Sequence, residues 1–544
     1  MLLLFFSSVF IIPTLMGWGK LLEKIIPNDI GGIAGKSMSG ILFLGLIFSI
    51  ASFFIPLNLT VEIPAVIIGL LVFFKEKLYE YCYKIEKRQV GILVIFILAI
   101  LYCGSSYPFI LDHFGYYIPT IKWLTEVGIV KGISNLDLIL GQMSVWHILQ
   151  AGFSNFCDPF FKLNSILLII YTLYIIENKT WIQLIFVPVL IFFTQSPSPD
   201  LPVIIFSLII VNEIFSGSKN ISFLFGLAMF TFSVKPTVIW LPLFVLLYSF
   251  FSIKLSIQKL IFGSFIFSLF IFKNIWTFGY PVFPVAVLDL GISWKPNPQL
   301  LQSSSEYAIL KTYDGQYTYN EIIHFSWFDY IKNWLLLSGI KSLINIAFIL
   351  VLTGFIMYAF IKKKKIISLL VISVLVKSIM VLLFSAQYRF FLDVFFVIFF
   401  ATGLNLLKRN AAITFSMILM IIFSGIFTFP TFVQHYIPSF NPGKFIVKKY
   451  LTQLFKPSNY EYRNYNRLKV GNLNFNVSKQ YPFNFETPIP AISTSFVMDY
   501  QKAKIFPQLK DKNDLRKGFI WKKLDSTEEK ELTKSIDIIK NDYR

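Results

Sequence analysis

Long apolar runs separated by short polar segments dominate the first 428 residues of the chain. A membrane-crossing α-helix needs about 20 apolar residues, and several runs reach that length together with their aromatic or lysine flanks. The pattern predicts a mainly α-helical, polytopic transmembrane bundle of about 12–14 spans. The runs cover residues 1–18, 38–57, 59–74, 90–104, 163–176, 180–195, 200–215, 221–234, 237–252, 258–275, 342–361, 366–384, 390–407 and 411–428.

Composition supports a membrane protein. Of the 544 residues, 56% are hydrophobic and 15% are charged, whereas a soluble domain carries about 25% charged residues. The formal net charge of +19 has two interpretations, a nucleic-acid surface or loops sorted to one side of a membrane. In the helical part the basic residues concentrate in alternate loops. This pattern favours loops placed on one side of a membrane and argues against a nucleic-acid partner.

The lysine-rich loops predict the orientation of the chain, because cytoplasmic loops carry an excess of Lys and Arg. We expect them to face the cytoplasm of a bacterium, with the protein in its inner membrane. The N-terminus, the loops 105–162 and 276–341, and the segment 429–544 then face outward. We predict three regions: N-terminal transmembrane helices at 1–89, a transmembrane core at 90–428, and an extracytoplasmic tail or small domain at 429–544.

Two aspartates on the predicted outer face are candidate catalytic groups. Asp112 begins the first large outer loop, and Asp200 ends the corner "SPSPD" before a span. A carboxylate at the mouth of a crevice can accept a proton from a hydroxyl group. The alternative is that each caps a helix, which the residue type alone favours for Asp112.

The segment after Asp112 predicts two helices on the membrane surface. The first, "YYIPTIKWLTEVG", has apolar residues at helical spacing and would present Tyr116, Trp123 and Leu124 to the interface. The second is "SVWHILQAGFSNF".

Three basic residues are candidates for binding a lipid phosphate. Lys235 and Arg389 are the basic residues of the short outer loops, and Lys273 lies at the outer end of a span. Arg binds phosphate in a bidentate way and Lys binds it as a point charge. The alternative for the first two is that they extend to anionic head groups at the membrane surface.

Aromatic residues and histidines complete the candidate chemistry. Tyr116, Tyr117, Tyr280 and Tyr388 could stack on a sugar, although tyrosines also anchor membrane proteins at their interfaces. We predict no metal or cofactor, because no tight ligand spacing or phosphate-binding glycine loop occurs. If a divalent metal bound, its ligands would be Asp112, His113 and His147.

Several segments between residues 90 and 407 carry a resemblance: "DHFGYYIPTIKWLTEVGIVKGISNLDLILGQMSVWHILQAGFS", "SPSPDLPV", "FSVKPT", "KNIWTFGYPVFPV" and "AQYRF". Through them the chain resembles an uncharacterised bacterial family of polytopic membrane proteins. That family in turn is similar to the GT-C superfamily of glycosyltransferases, which use lipid-linked sugar donors. The family pattern has a Tyr-His pair shortly after its acidic residue, where this chain has Tyr116 and Tyr117.

The resemblance implies a GT-C-like fold and an enzyme. It assigns the catalytic base to Asp112 and the lipid phosphate to Lys235 and Arg389, with Lys273 as a weaker candidate. The partners would be membrane lipid, a polyprenyl-phosphate-linked sugar and a cell-envelope glycan acceptor. Two alternatives remain: a glycan polymerase or ligase, and a lipid-glycan transporter. The transporter hypothesis rests on Lys377 and Asp393, which lie within apolar runs.

Overall fold

A computed structural model of the chain describes residues 1–253, 256–404, 406–436, 449–460, 464–481, 483–484 and 487–542. The protein is mainly helical, as predicted, and each of the fourteen apolar runs coincides with helix. A helix satisfies its own backbone hydrogen bonds, which an apolar segment in lipid requires. Among the described residues, eight helices are long and apolar enough to cross a membrane: Leu2–Glu23, Gly32–Ala51, Lys87–Gly104, Pro236–Ile253, Ile257–Phe278, Ile340–Lys362, Lys365–Phe384 and Arg409–Thr428.

Shorter helices account for the remaining apolar runs. Four apolar helices of 10–17 residues are Leu163–Glu177, Trp181–Phe193, Ile221–Val234 and Leu392–Gly403. Leu59–Lys75 and Asp200–Phe215 are also helical. Several helices present large apolar side chains outward, with Leu350 66% exposed and Ile421 74% exposed. Such surfaces suit contact with lipid rather than water. The exact number of spans stays a prediction.

Contacts within the chain divide it into two compact units. Unit one comprises Met1–Leu201, Ser268–Leu300 and Ala412–Arg544, and unit two comprises Pro202–Phe267 and Leu301–Ala411. The segment after residue 412 therefore belongs to the same unit as the first helices.

Close packing of the first helices in unit one depends on glycine. A Cβ atom on Gly17 would lie 1.9 Å from the carbonyl oxygen of Gly69, and one on Gly40 would lie 1.9 Å from that of Leu15. Small residues at such crossings let two membrane helices approach closely.

The segment after residue 464 contains two antiparallel strand pairs and two helices. Strand β1, Tyr465–Val470, pairs with β2, Leu473–Ser478, and strand β3, Ile505–Leu509, pairs with β4, Phe519–Lys523. The helices are Thr494–Lys502 and Ser526–Asp542.

The hydrophobic core of this C-terminal domain includes residues from the loop 105–162. Trp123, Val130, Ile133, Leu136 and Leu140 are buried with the apolar residues of the strands. The helix Ile118–Glu126 exists as predicted, but the expected exposure of Trp123 and Leu124 at an interface is not observed. Trp123 and Leu124 are almost fully buried in protein, because the C-terminal domain packs over this loop.

A buried carboxylate joins the same loop to the C-terminal domain. Asp137 accepts hydrogen bonds from Ser493 Oγ at 2.7 Å, from Ser493 N at 3.3 Å and from Asn484 Nδ2 at 3.3 Å. Burial raises the pKa of Asp137 to about 6, although these hydrogen bonds act in the opposite direction. The loop and the domain are thus held by a polar contact as well as by apolar packing.

Replacing Gly518 by alanine is expected to weaken the attachment of the C-terminal domain. Gly518 has φ +92°, and an added Cβ would lie 2.0 Å from the Lys131 carbonyl oxygen, which also accepts a bond from Phe519 N at 3.0 Å. Gly291→Ala is the matched control, because Gly291 also has a positive φ of +68° but has no atom within 4 Å of the added Cβ. Both variants strain the backbone, and Gly518→Ala does so more strongly, because φ +92° and ψ −167° lie in a region that is essentially restricted to glycine. Limited proteolysis should cut the Gly518→Ala domain faster, and equal rates for the two variants would contradict this.

Candidate functional site

The corner between residues 195 and 200 is the centre of a polar cluster in unit one. Its prolines restrict the backbone of an alternating Ser-Pro sequence. Ser196 Oγ lies 3.0 Å from His113 Nδ1, and Ser198 Oγ donates to Asp200 Oδ2 at 3.3 Å. Ser196 therefore contacts the start of the first large outer loop, and Ser198 contacts the first residue of the helix that follows the corner.

The predicted base Asp112 stands at the start of a π-helical turn, His113–Tyr117, that continues into Ile118–Glu126. Its side chain makes no capping hydrogen bond with that turn. The capping alternative is therefore wrong for Asp112. The side chain is half-buried. Single π-helical turns are rare and occur frequently at functional sites.

Asp200 is the first residue of the helix Asp200–Phe215. A carboxylate at this position is favoured by the partial positive charge of the helix N-terminus. The prediction that Asp200 stands at the start of a helix is thus confirmed. The residue is half-buried, like Asp112.

The two aspartates both affect the pKa of the Tyr117 phenol. Burial raises the pKa of the Tyr117 phenol well above its usual value, and Tyr116, Asp112 and Asp200 raise it further. Ser198 acts in the opposite direction through a hydrogen bond to the phenol. Both carboxylates therefore influence the same buried hydroxyl. Their catalytic role stays a prediction.

His147 also belongs to this cluster. The sequence indicated it, like His113, only as a ligand if a metal bound. Its ring centroid lies 4.8 Å from that of Tyr117 and 5.8 Å from that of Tyr116. Burial lowers the pKa of His147 to about 3, an effect that the Pro197 carbonyl opposes and Lys273 reinforces. Neither ring nitrogen has a partner of ordinary hydrogen-bond geometry within the described part of the chain. A neutral, buried imidazole therefore lies beside the two tyrosines.

Burial also lowers the pKa of His113 well below its usual value, and Lys162 and His147 add to the effect. The neutral ring of His113 can exchange a hydrogen bond with Ser196. Across the described ranges, no group of three His, Cys, Asp or Glu side chains could hold a metal ion.

Lys273, a predicted phosphate ligand, is buried at the edge of this cluster. Its ammonium donates to the Met143 carbonyl oxygen and lies 5.4 Å from the centroid of the Phe270 ring. It is also close enough to His147 to affect its charge. Lys273 thus lies near His147, which packs on the two tyrosines.

The tyrosines predicted to stack on a sugar differ in exposure. Tyr116, Tyr117 and Tyr280 are buried, at 8%, 2% and 5% exposure, whereas Tyr388 is 39% exposed. The expectation that the first three present an open face is wrong in this arrangement, because Tyr116 and Tyr117 pack on His147 and Tyr280 packs on Phe278 at 5.4 Å.

Lys235 and Arg389 meet at one aromatic ring in unit two. Lys235 Nζ lies 5.1 Å from the centroid of Phe390, and the guanidinium carbon of Arg389 lies 5.2 Å from it. The two cations therefore lie near the same ring, and their role as phosphate ligands stays a prediction.

The two charged residues that supported a transporter are partners of each other in unit two. Lys377 forms a buried salt bridge with Asp393 Oδ1, and Trp240 Nε1 donates to Asp393 Oδ2 at 2.7 Å. A carboxylate with two donors explains why both charges are tolerated within apolar helices. These residues therefore have a structural explanation that requires no transported substrate.

The fold and the cluster define a class: a helical membrane protein whose buried polar cluster lies in loops between its apolar helices. A family model described as "Domain of unknown function (DUF8201)" matches residues 1–396. The chain therefore belongs to this family, and the match includes both aspartates, Lys235, Lys273 and Arg389. Comparison with curated proteins and with solved structures gave no match.

Proposed function

We propose that the protein is an integral membrane glycosyltransferase of GT-C-like architecture. It transfers a sugar from a polyprenyl-phosphate-linked donor to a cell-envelope acceptor on the outer face of the bacterial inner membrane. The observation that supports this proposal is that Asp112 and Asp200 both raise the pKa of the buried Tyr117 phenol, beside the polar corner 195–200. A half-buried carboxylate without a capping bond suits a general base beside the membrane.

In the proposed reaction Asp112 accepts the proton of the acceptor hydroxyl. The hydroxyl oxygen forms the new glycosidic bond, and the bond between the sugar and the phosphate breaks. The electron pair of that bond stays on the phosphate, which leaves with its lipid. Asp200 and Tyr117 keep the site polar beside the corner 195–200.

Cations near the leaving group lower the barrier, because they stabilise negative charge that develops on the phosphate. Lys235 and Arg389 are proposed for this role, supported by their meeting at Phe390. Lys273 is a weaker candidate, because its ammonium already donates to a backbone carbonyl. Tyr388 is the exposed aromatic residue available to a sugar among the four candidates.

Deletion of the gene in the source bacterium tests this function in the cell. We expect loss of one surface glycan component, which the wild-type chain restores on re-expression. A glycan polymerase or ligase would instead change the length distribution or the attachment of an otherwise complete glycan. An unchanged surface glycan in the deletion strain would contradict both.

A further inference from the structure

Two lysines from distant parts of unit one meet at Ser106, at the end of the helix Lys87–Gly104. Lys162 Nζ donates to the Ser106 carbonyl oxygen at 3.2 Å and to the Gln195 carbonyl oxygen at 2.7 Å. Lys449 Nζ donates to Ser106 Oγ at 3.1 Å and to the Tyr102 carbonyl oxygen. The two ammonium groups are thus held against different atoms of one serine.

This lysine pair has little compensating negative charge. Within the described ranges no carboxylate oxygen lies within 4.0 Å of either ammonium. The neighbouring Asp158 accepts from Gln150 Nε2 at 3.1 Å and from the backbone of Lys162 rather than from its ammonium. Lys162 is 1% exposed, so its charge is removed from water without an ion-pair partner.

Burial disfavours the charged form of both lysines. Burial lowers the pKa of Lys162 to about 7, with Asp158 opposing and Lys449 adding to the effect. Burial also lowers the pKa of Lys449 to about 8. An ammonium has three protons, and the hydrogen bonds described use two on each lysine. A bound oxyanion would accept the third proton of both and offset the burial of their charge.

We propose that Lys162 and Lys449 form a binding site for a phosphate-class oxyanion at Ser106. The anion is inorganic phosphate or the phosphate monoester of a lipid headgroup, because both present oxygens to two point charges. The proposal does not depend on the proposed glycosyl transfer, although Lys162 also donates to the Gln195 carbonyl oxygen at the corner 195–200. It would also fasten the segment around Lys449, whose neighbour Ser458 donates its backbone N–H to the Ser105 carbonyl oxygen at 2.9 Å.

Calorimetric titration of the purified full chain with inorganic phosphate tests the site directly. Wild type is expected to bind phosphate, and Lys449→Met is expected to bind at least about tenfold more weakly, the effect of losing one charged contact. Lys456→Met, an exposed lysine of the same segment, is the matched control and should bind as wild type does. Equal affinities for all three proteins would overturn the proposal.

A second pair of variants keeps the test independent of folding. Lys449→Arg retains the positive charge and is expected to keep most of the affinity. Lys162→Met removes a buried charge at nearly constant volume, so it is expected to fold while losing phosphate binding. Undiminished binding in Lys162→Met would overturn the proposal.

The source of the anion is distinguished by lipid composition. The chain is reconstituted into phosphatidylcholine vesicles with or without phosphatidic acid, and its thermal unfolding midpoint is measured. Stabilisation by phosphatidic acid alone identifies a lipid headgroup, and stabilisation by added inorganic phosphate alone identifies a soluble anion, because a ligand stabilises the state that it binds. Either result must disappear in Lys449→Met, and stabilisation by neither would overturn the proposal.

Discussion

Asp112→Asn is expected to lower the turnover of sugar transfer by about 10²–10⁴-fold, which is the usual contribution of a positioned general base. The amide has nearly the same shape as the carboxylate, but it cannot accept the proton of the acceptor hydroxyl. Because Asp112 makes no capping hydrogen bond, the replacement should leave the local helix intact. The measurement is initial-rate transfer by purified protein from a radiolabelled polyprenyl-phosphate sugar.

The matched control is Asp289→Asn. Asp289 also belongs to unit one and lies in the predicted outer loop 276–341, but it is exposed and bonded to Lys295 at 2.5 Å. It should transfer sugar at the wild-type rate. Wild-type rates for both variants would remove Asp112 from the mechanism, whereas equal losses in both would indicate a general effect of charge.

Asp393→Ala is expected to destabilise the protein by about 3–5 kcal/mol, the usual cost of removing one partner from a buried ion pair. The replacement takes away the carboxylate that accepts from both Lys377 and Trp240. The double variant Lys377→Met, Asp393→Leu should recover most of that loss, because it removes both charges and fills their volume. Thermal unfolding in detergent micelles measures the three proteins.

Asp511→Ala provides the control for this comparison. Asp511 forms an ion pair with Lys517 at 2.6 Å, with the lysine side chain 59% exposed, and exposed pairs contribute little to stability. Its unfolding midpoint should stay close to that of wild type. If the double variant folds normally and transfers sugar, the buried pair is structural. If it folds normally but abolishes movement of a lipid-linked glycan, the transporter hypothesis is favoured instead.

The helices could be predicted from the sequence because each apolar run is local information. The same holds for Asp112 and Asp200, whose positions at the starts of a helical turn and a helix follow from neighbouring residues. The common effect of the two aspartates on Tyr117 could not be derived, because it depends on the spatial proximity of segments about 90 positions apart.

The burial of particular side chains could not be predicted from the sequence. Trp123 has the amphipathic surroundings of a membrane-surface helix, yet the C-terminal domain covers it. Lys162 and Lys449 are separated by almost 300 residues and lie in segments without a recognisable motif. In the sequence Lys377 and Asp393 look like isolated charges, but in the structure they form a salt bridge. In each case a long-range contact, absent from any local pattern, determines what the side chain does.

The most direct test of the account is to reconstitute the protein into vesicles with a polyprenyl-phosphate-linked sugar and a glycan acceptor. Mass spectrometry then follows the acceptor while a separate assay follows movement of the intact donor across the bilayer. The proposed sugar transfer predicts an acceptor heavier by one sugar, with release of polyprenyl phosphate, and loss of that product in Asp112→Asn. Movement of the intact donor without any modified acceptor would contradict it.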